Sequence, residues 1–272
     1  MSYEEKKIRL LEEVDKLSQE DVVLAFSGGV DSSLLLKLFS ESTKKTSKKV
    51  YAVTVHTKIH PMKDLEISRR VADEMGVEHK IISIDELKEA GIEDNPVNRC
   101  YLCKKSIFEK LQKYAEELGV KQVVEGTNED DLHVYRPGIK AIKELGIKSP
   151  LADSGFTKEE VRKLAAELGV SVSNRPSTPC MATRFPYGTM LDYESIQKVE
   201  EAEKWLRDLG FYNVRIRVHG DIARIEVDKN EMMMLLEKKE EVIEKLKEFG
   251  YDYITLDLEG FRSGSMDIHI KK

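Results

Sequence analysis

Residues 21 to 33, DVVLAFSGGVDSS, constrain this chain more than any other stretch: a short apolar run meets two adjacent glycines and turns at once into the helical pattern Val30, Leu34, Leu35, Leu38. That is a strand, a tight loop and a helix. KVYAVTV (49–55) and HKIISI (79–84) repeat the strand signature, separated by the helical KDLEISRRVADEMG (63–76). Further on, Ile107, Phe108, Leu111, Ala115 and Leu118 share one helix face, Gly119 stops that helix, and KQVVEGT (121–127) supplies another strand. Thr157 and Glu160 make a capping box for KEEVRKLAAELG (158–169). Strands alternating with helices predict an α/β fold, a doubly wound parallel sheet with helices on both faces. STKKTSKK (42–49) reads as a polar loop.

The rhythm changes after the loop SNRPSTPCMATRFPYG (173–188), whose three prolines suit a connector that carries function. A helix over 192–209 precedes NVRIRV (213–218), a His-Gly-Asp turn and IARIEV (222–227), an alternating pair that predicts a hairpin. Asn230 is expected to cap the helix EMMMLLEKKEEVIEKLKEF (231–249), and DYITLDL (252–258) reads as the last strand. With 272 residues the chain can support two cores, so the expected organisation is a first domain over 1–188 and a smaller α+β domain over 189–272.

Charged residues are 35% of the chain, and 50 acidic against 44 basic side chains leave a net charge of -6. That balance exerts no global pull toward nucleic acid or an anionic membrane. The N-terminus, MSYEEKKIRLLEEVDKL, is a charged amphipathic helix, and no apolar stretch is long enough to span a bilayer, so a cytoplasmic location is expected. In a reducing compartment three cysteines with a C-x-x-C pair point to a metal site or redox chemistry rather than a disulfide framework.

AFSGGVDSS (25–33) falls where a doubly wound sheet presents ligands, at the carboxyl end of the first strand and the start of the next helix. Glycines there turn backbone N–H groups toward an anion, and the helix N-terminus adds partial positive charge, so phosphate or pyrophosphate is the natural guest. The bland alternative is a capped βα turn. Walker and G-x-G-x-x-G patterns are missing from this loop. S-G-G-V-D-S after an apolar strand resembles the PP-loop signature of the ATP pyrophosphatases, which adenylate a carbonyl or carboxylate oxygen and release pyrophosphate. The resemblance implies a phosphate-binding role for Ser27, Gly28, Gly29, Asp31 and Ser32, with Asp31 as a Mg²⁺ partner of ATP. EGTNEDD (125–131) ends another strand on the same sheet edge, which brings Gly126 and Asn128 within reach of the nucleotide.

Cys100 and Cys103 stand three positions apart at the mouth of a helix, and Cys180 lies in the proline-rich connector. All three contexts are polar or turn-rich, unlike those of a buried structural thiol. Three thiolates suit a [4Fe-4S] cluster with one iron left open, where a sulfide could sit. A Cys₃His zinc site completed by His133, a redox pair with a separate nucleophile, and Cys180 acting alone are the other readings. His56, His60 and His133 show no triad spacing and read as structural.

PSTPCMATRFPYG (176–188), VRIRVHGDIARIEV (214–227) and LEGFRSGSMD (258–267) resemble the LarE family of PP-loop sulfur transferases, and the resemblance runs over nearly the whole chain. It implies adenylation of carboxylates on a pyridinium mononucleotide and their conversion to thiocarboxylates, on the way to a nickel-pincer cofactor. Members with one cysteine sacrifice its sulfur, whereas members with three are understood to bind a [4Fe-4S] cluster. This chain follows the second pattern through Cys100, Cys103 and Cys180, with a sulfide source as co-substrate and a homo-oligomer as the implied assembly. Arg215 and Arg217 alternate with Val214, Ile216 and Val218, so both guanidiniums are expected on one face of the hairpin, suited to a phosphate or carboxylate. Arg184 is the other candidate anion clamp and Arg262 a weaker one, equally suited to a subunit contact. The rival readings are a tRNA thiolase, a sulfur or metal carrier without turnover, and an amide-forming synthetase; the acidic balance argues against the first.

Overall fold

The computed structural model describes residues 1–266 apart from Tyr135, Ser177 and Ser263, together with all but the side chain of Met62. Ser177 of the 176–188 motif, and Ser263 and Asp267 of the terminal motif, therefore lie outside the described residues. The chain divides into two compact units, Met1–Gly91 with Asn98–Thr178, and Ile92–Val97 with Pro179–Lys272. Residues 179–188, grouped by the sequence with the first domain, pack in the second unit.

The first unit contains α1 (Tyr3–Leu17), β1 (Val22–Ala25), α2 (Val30–Thr46), β2 (Val50–Thr57), α3 (Met62–Glu74), β3 (His79–Ile84), α4 (Glu86–Glu89), α5 (Arg99–Glu117), β4 (Gln122–Val124), α6 (Gly138–Glu144), α7 (Pro150–Asp153) and α8 (Lys158–Glu167). All four strands are parallel, in the order β3-β2-β1-β4. From β1 the chain goes to β2 and β3 on one side and returns as β4 on the other. The switch point between β1 and β4 is the crevice where such sheets bind ligands.

Alternation along β1 explains why both faces need helices. Val22 and Leu24 join Leu34, Leu35 and Phe39 of α2 and Val161 and Leu164 of α8 in one core. Val23 turns the other way, with Val53 and Val123, onto Phe108, Leu111 and Ala115 of α5. The capping box expected at the start of α8 is present, Thr157 accepting from Glu160 N–H and the Glu160 side chain accepting from Thr157 N–H. The stretch 42–49 differs from expectation, because α2 runs on to Thr46. Its hydroxyls explain why: Ser42 donates to Asp15, Thr46 to the Ser18 carbonyl, and both Ser42 and Thr43 are buried.

The second unit contains α9 (Tyr193–Asp208), β5 (Val214–His219), β6 (Ile222–Val227), α10 (Met232–Glu237), α11 (Lys239–Glu248) and β7 (Tyr253–Leu256). β5 and β6 form the expected antiparallel hairpin, turning at Gly220 with φ +61°, and β7 adds to β6 in parallel. This mixed sheet with its helices is the smaller α+β domain. Asn230 does not cap a helix: it sits inside a single 3₁₀ turn, Lys229–Glu231, so the helix starts after it. The helix also breaks at Lys238, whose φ of -93° and ψ of 11° leave helical values. Among the described residues no helix is long and apolar enough to cross a membrane.

Candidate active site

The phosphate loop follows β1 and ends in α2, with Gly29 at the N-cap and no side chain capping the helix. Uncapped first-turn amides leave the helix start open to an anion. Gly28 takes φ +68°, and a Cβ there would lie 2.9 Å from the Ser68 backbone of α3, so both conformation and space require glycine. Ser32 braces the loop from inside: its Oγ donates to Gly29 O at 3.2 Å and accepts from Ser27 N–H at 3.3 Å.

The segment after β4 closes on this loop. A Cβ at Gly126 would lie 3.1 Å from Asp31 Cβ and from Ser32 N, so glycine lets the two backbones approach. Buried Glu125 fixes the turn, accepting from Thr127 N–H and Thr127 Oγ1, each at 2.9 Å. Asn128 Nδ2 then donates to Asp31 Oδ1 at 3.1 Å, and the other Asp31 oxygen pairs with Lys158. Arg175 holds the opposite end, donating to Gly28 O at 3.0 Å and pairing with Asp64. Burial pushes the Asp131 carboxyl up, opposed by Arg136 and reinforced by the charge of Asp31. The loop residues Ser27, Gly28, Gly29, Asp31 and Ser32 are thus brought together with Gly126 and Asn128.

Cys100 and Cys103 occupy the first turns of α5, the former exposed and the latter half-buried. Cys103 donates to Glu86 Oε1 at 2.5 Å. Glu86 is fully buried, and its second oxygen has no hydrogen-bond partner among the described residues. Cys180 belongs to the second unit, at the head of the short turn Met181–Arg184. Among the described residues no three His, Cys, Asp or Glu side chains form a group able to hold a metal ion. His133 pairs with Glu129 at 2.8 Å and His60 with Thr57 at 2.7 Å. His56 is pushed down by burial, helped by His60 and Arg69.

In the second unit the charged face of the hairpin is covered rather than solvated. Arg217 donates to Glu226 at 3.0 and 2.9 Å, Ser265 Oγ donates to the other Glu226 oxygen, and Glu226 is fully buried. Arg184 makes a two-pronged pair with buried Glu203, 2.9 Å on each side. Burial alone would raise the Glu203 carboxyl, but Arg184, Arg215 and the Ile216 N–H together outweigh it and hold it below the usual range. Both arginines also grip the turn that carries Cys180: Arg184 Nη1 lies 3.3 Å from Pro179 O, and Arg217 Nη1 3.0 Å from Thr183 O. Arg215 is different. It stacks over Phe261 at 5.2 Å, donates to Val214 O at 2.7 Å and feels the charge of Glu203, without an ion pair among the described residues. Burial, with Arg184 and Arg217 nearby, pushes its guanidinium down to about 10. Arg262 is spent on Asp257 and Glu259.

Comparison with known proteins agrees with this geometry. A family model described as a PP-loop domain matches residues 2–135. The pyridinium-3,5-bisthiocarboxylic acid mononucleotide synthase of Lactiplantibacillus plantarum is 37% identical over 251 residues, covering 92% of this chain and 90% of that protein. The chain belongs to the LarE family of PP-loop sulfur transferases. As a LarE-family protein it is an ATP-dependent sulfurtransferase. An uncharacterized protein of Synechocystis sp. is also 37% identical, over 247 residues that cover 90% of this chain and 91% of the relative. A tRNA-specific 2-thiouridylase of Rickettsia africae is more distant, 26% identical over 202 residues, covering 59% of this chain and 53% of the relative.

Four charged residues described in the two units escape local sequence patterns to different degrees. Glu203 left a signal: it falls among Ile196, Val199 and Leu206 on the buried face of α9, where a carboxylate demands a partner. Lys158 left another, as a cation in the first turn of a helix whose dipole disfavours it. Arg175 and Glu86 left none, since their partners Gly28 and Cys103 lie 147 and 17 residues away in sequence.

Proposed function

We propose that this protein uses ATP to adenylate a carboxylate of a small anionic molecule and then exchanges the activated oxygen for sulfur. The pyridinium mononucleotide in the name of the L. plantarum relative is the substrate class we assign. The phosphate loop, Ser27 to Ser32 with Gly126 and Asn128, holds the triphosphate, with Asp31 facing Mg²⁺. A substrate carboxylate oxygen attacks the α-phosphorus and pyrophosphate leaves. Sulfide then attacks the acyl carbon, and the bond from that carbon to the AMP oxygen breaks. Holding the reacting groups in line is the protein's main contribution.

Cys100, Cys103 and Cys180 would hold a [4Fe-4S] cluster, which when bound supplies the sulfide. One observation supports a soft-metal role for the first two thiols: they sit one turn apart in the first turns of α5, Cys100 exposed and Cys103 half-buried. In the smaller domain, Arg215 supplies the charge for the substrate anion, with Arg184 and Arg217 adding to the same field. This domain also carries the contacts of a homo-oligomer in our reading.

The observation that carries the proposal is the glycine-built loop at the β1/β4 switch point in a chain that also has the three-cysteine pattern. The test is incubation of anaerobically purified protein with ATP, sulfide and the carboxylated mononucleotide, expecting AMP, pyrophosphate and thiocarboxylate. Iron analysis of Cys100→Ala, Cys103→Ala and Cys180→Ala accompanies it. Iron lost from all three variants supports one shared site. Iron kept in Cys180→Ala, with dehydroalanine appearing at Cys180 of the wild type after turnover, replaces the cluster with sacrificial donation. Thiolated tRNA as the product would move the protein to the thiouridylase reading.

A further inference from the structure

Both oxygens of Asp31 are occupied, Oδ1 by Asn128 Nδ2 at 3.1 Å and Oδ2 by Lys158 Nζ. A metal-facing carboxylate in the phosphate loop is thereby closed off by a cation from α8, which begins 127 residues downstream. Lys158 takes the first helical position after the Thr157 cap, where the helix dipole opposes a positive side chain. Its backbone N–H is already used, donating to Asp130 at 2.8 Å. The Lys158 and Asp31 side chains are 32% and 19% exposed, so neither is sealed from a solute entering the loop from water.

The ammonium is a mobile point charge on a flexible stem with three donors, whereas a guanidinium such as Arg175 is fixed by its two partners, Gly28 O and Asp64. A polyanion arriving at the loop therefore competes with Asp31 for Lys158, and Asp31 keeps Asn128 when it loses the lysine. We propose that Lys158 is a phosphate-contacting residue that works by exchange: the triphosphate of ATP takes its Nζ from Asp31 Oδ2, and the freed carboxylate oxygen becomes available to Mg²⁺. ATP itself thus unlocks the loop. A nucleoside monophosphate, with no phosphates beyond the α position, lacks the groups that draw the lysine across. The inference rests on the reading of this loop as the ATP site.

Binding of AMP and of the α,β-methylene analogue of ATP, with Mg²⁺, is measured calorimetrically on the full chain and its Lys158→Met and Lys158→Arg variants. The expected result is a loss of about tenfold or more in affinity for the ATP analogue in Lys158→Met, the size of one charge-assisted contact. AMP affinity should stay within about twofold, and Lys158→Arg should recover most of the loss, since either cation can meet a phosphate. Unchanged or tighter binding of the analogue by Lys158→Met overturns the inference, because a lysine that only masks Asp31 would compete with ATP. Equal losses for AMP and the analogue also overturn it, by marking collapse of the loop. If Lys158→Met melts far below wild type, Lys158→Gln replaces it in the same comparison. Wild type that binds neither nucleotide removes the ATP reading and the inference together, whereas failure confined to the variants removes only the inference.

Discussion

Arg184 and Glu203 face each other with both prongs at 2.9 Å, and their side chains are only 3% and 1% exposed. Glu203 also accepts from Ile216 N–H at 3.0 Å, so one carboxylate ties the turn after Cys180 and strand β5 to helix α9. Removing it leaves a buried guanidinium without its anion. Glu203→Gln should therefore destabilise the second unit by about 3–5 kcal/mol, read by urea unfolding with a probe in that unit.

The same pair sets an acid limb. Glu203 is held below its ordinary value of 4.5, so it binds fewer protons folded than unfolded near that pH. Its contribution to stability is complete above the ordinary value and is lost as the pH falls through the lower, folded one. Wild type should lose stability faster below about pH 4.5 than Glu203→Gln does, as measured by urea midpoints from pH 6 to pH 3.

Arg215 and Arg217 should separate cleanly despite standing two residues apart. Arg217→Met leaves fully buried Glu226 only Ser265 and a longer pair with Arg224 at 3.5 Å, and should cost up to about 3–5 kcal/mol of stability. Arg215→Met keeps a long apolar stem against Phe261 and removes a cation whose attraction to Glu203 is opposed by its repulsion from Arg184 and Arg217, so its unfolding midpoint should move little. Its deficit should appear as a raised KM for the anionic substrate. A normal KM in Arg215→Met would remove that residue from the substrate site.

Gly126 offers a way to disturb the nucleotide loop alone. Its φ lies outside the left-handed region, so alanine brings no backbone strain there; the new Cβ meets Asp31 Cβ and Ser32 N at 3.1 Å. Gly126→Ala should weaken ATP binding severalfold with a small change in melting temperature. Gly28→Ala should lower both, because it adds a left-handed φ of +68° to a 2.9 Å approach to Ser68.

Glu86 should be a residue whose loss stabilises the protein. A fully buried carboxylate with one thiol partner and one unpartnered oxygen is expensive, and Glu86→Gln should raise stability by about 1–3 kcal/mol. A fall in stability would mean that the carboxylate is better compensated than its hydrogen bonds indicate.

What was legible in the sequence was whatever local periodicity and turn chemistry determine. The β1–loop–α2 unit, the strand over 79–84, the β5–β6 hairpin and the Thr157–Glu160 cap all follow from patterns a few residues long. Asp192, which accepts from Ser195 N–H at 2.8 Å, rather than Asn230, caps a long helix in the second unit. Tertiary partners defeated the rest. The polar stretch 42–49 became helix because Asp15 and Ser18 receive its hydroxyls. The arginine face of the hairpin was buried because residues 261 and 265 fold over it. Gly126 and Asn128 were legible through the strand-end rule, whereas Lys158 and Arg175 reach the loop only through folding.

The grouping of Ile92–Val97 with the second unit has a practical result for anyone dividing this molecule. Fully buried Asn95 donates to Phe185 O at 3.2 Å and Pro186 O at 2.7 Å, and its own carbonyl accepts from Gly188 N–H at 3.0 Å. No single cut of the gene frees a complete C-terminal piece, since a fragment starting at Pro179 would lack six residues that help to shape it. Expression of the halves would need that hexapeptide grafted on or supplied as a separate peptide.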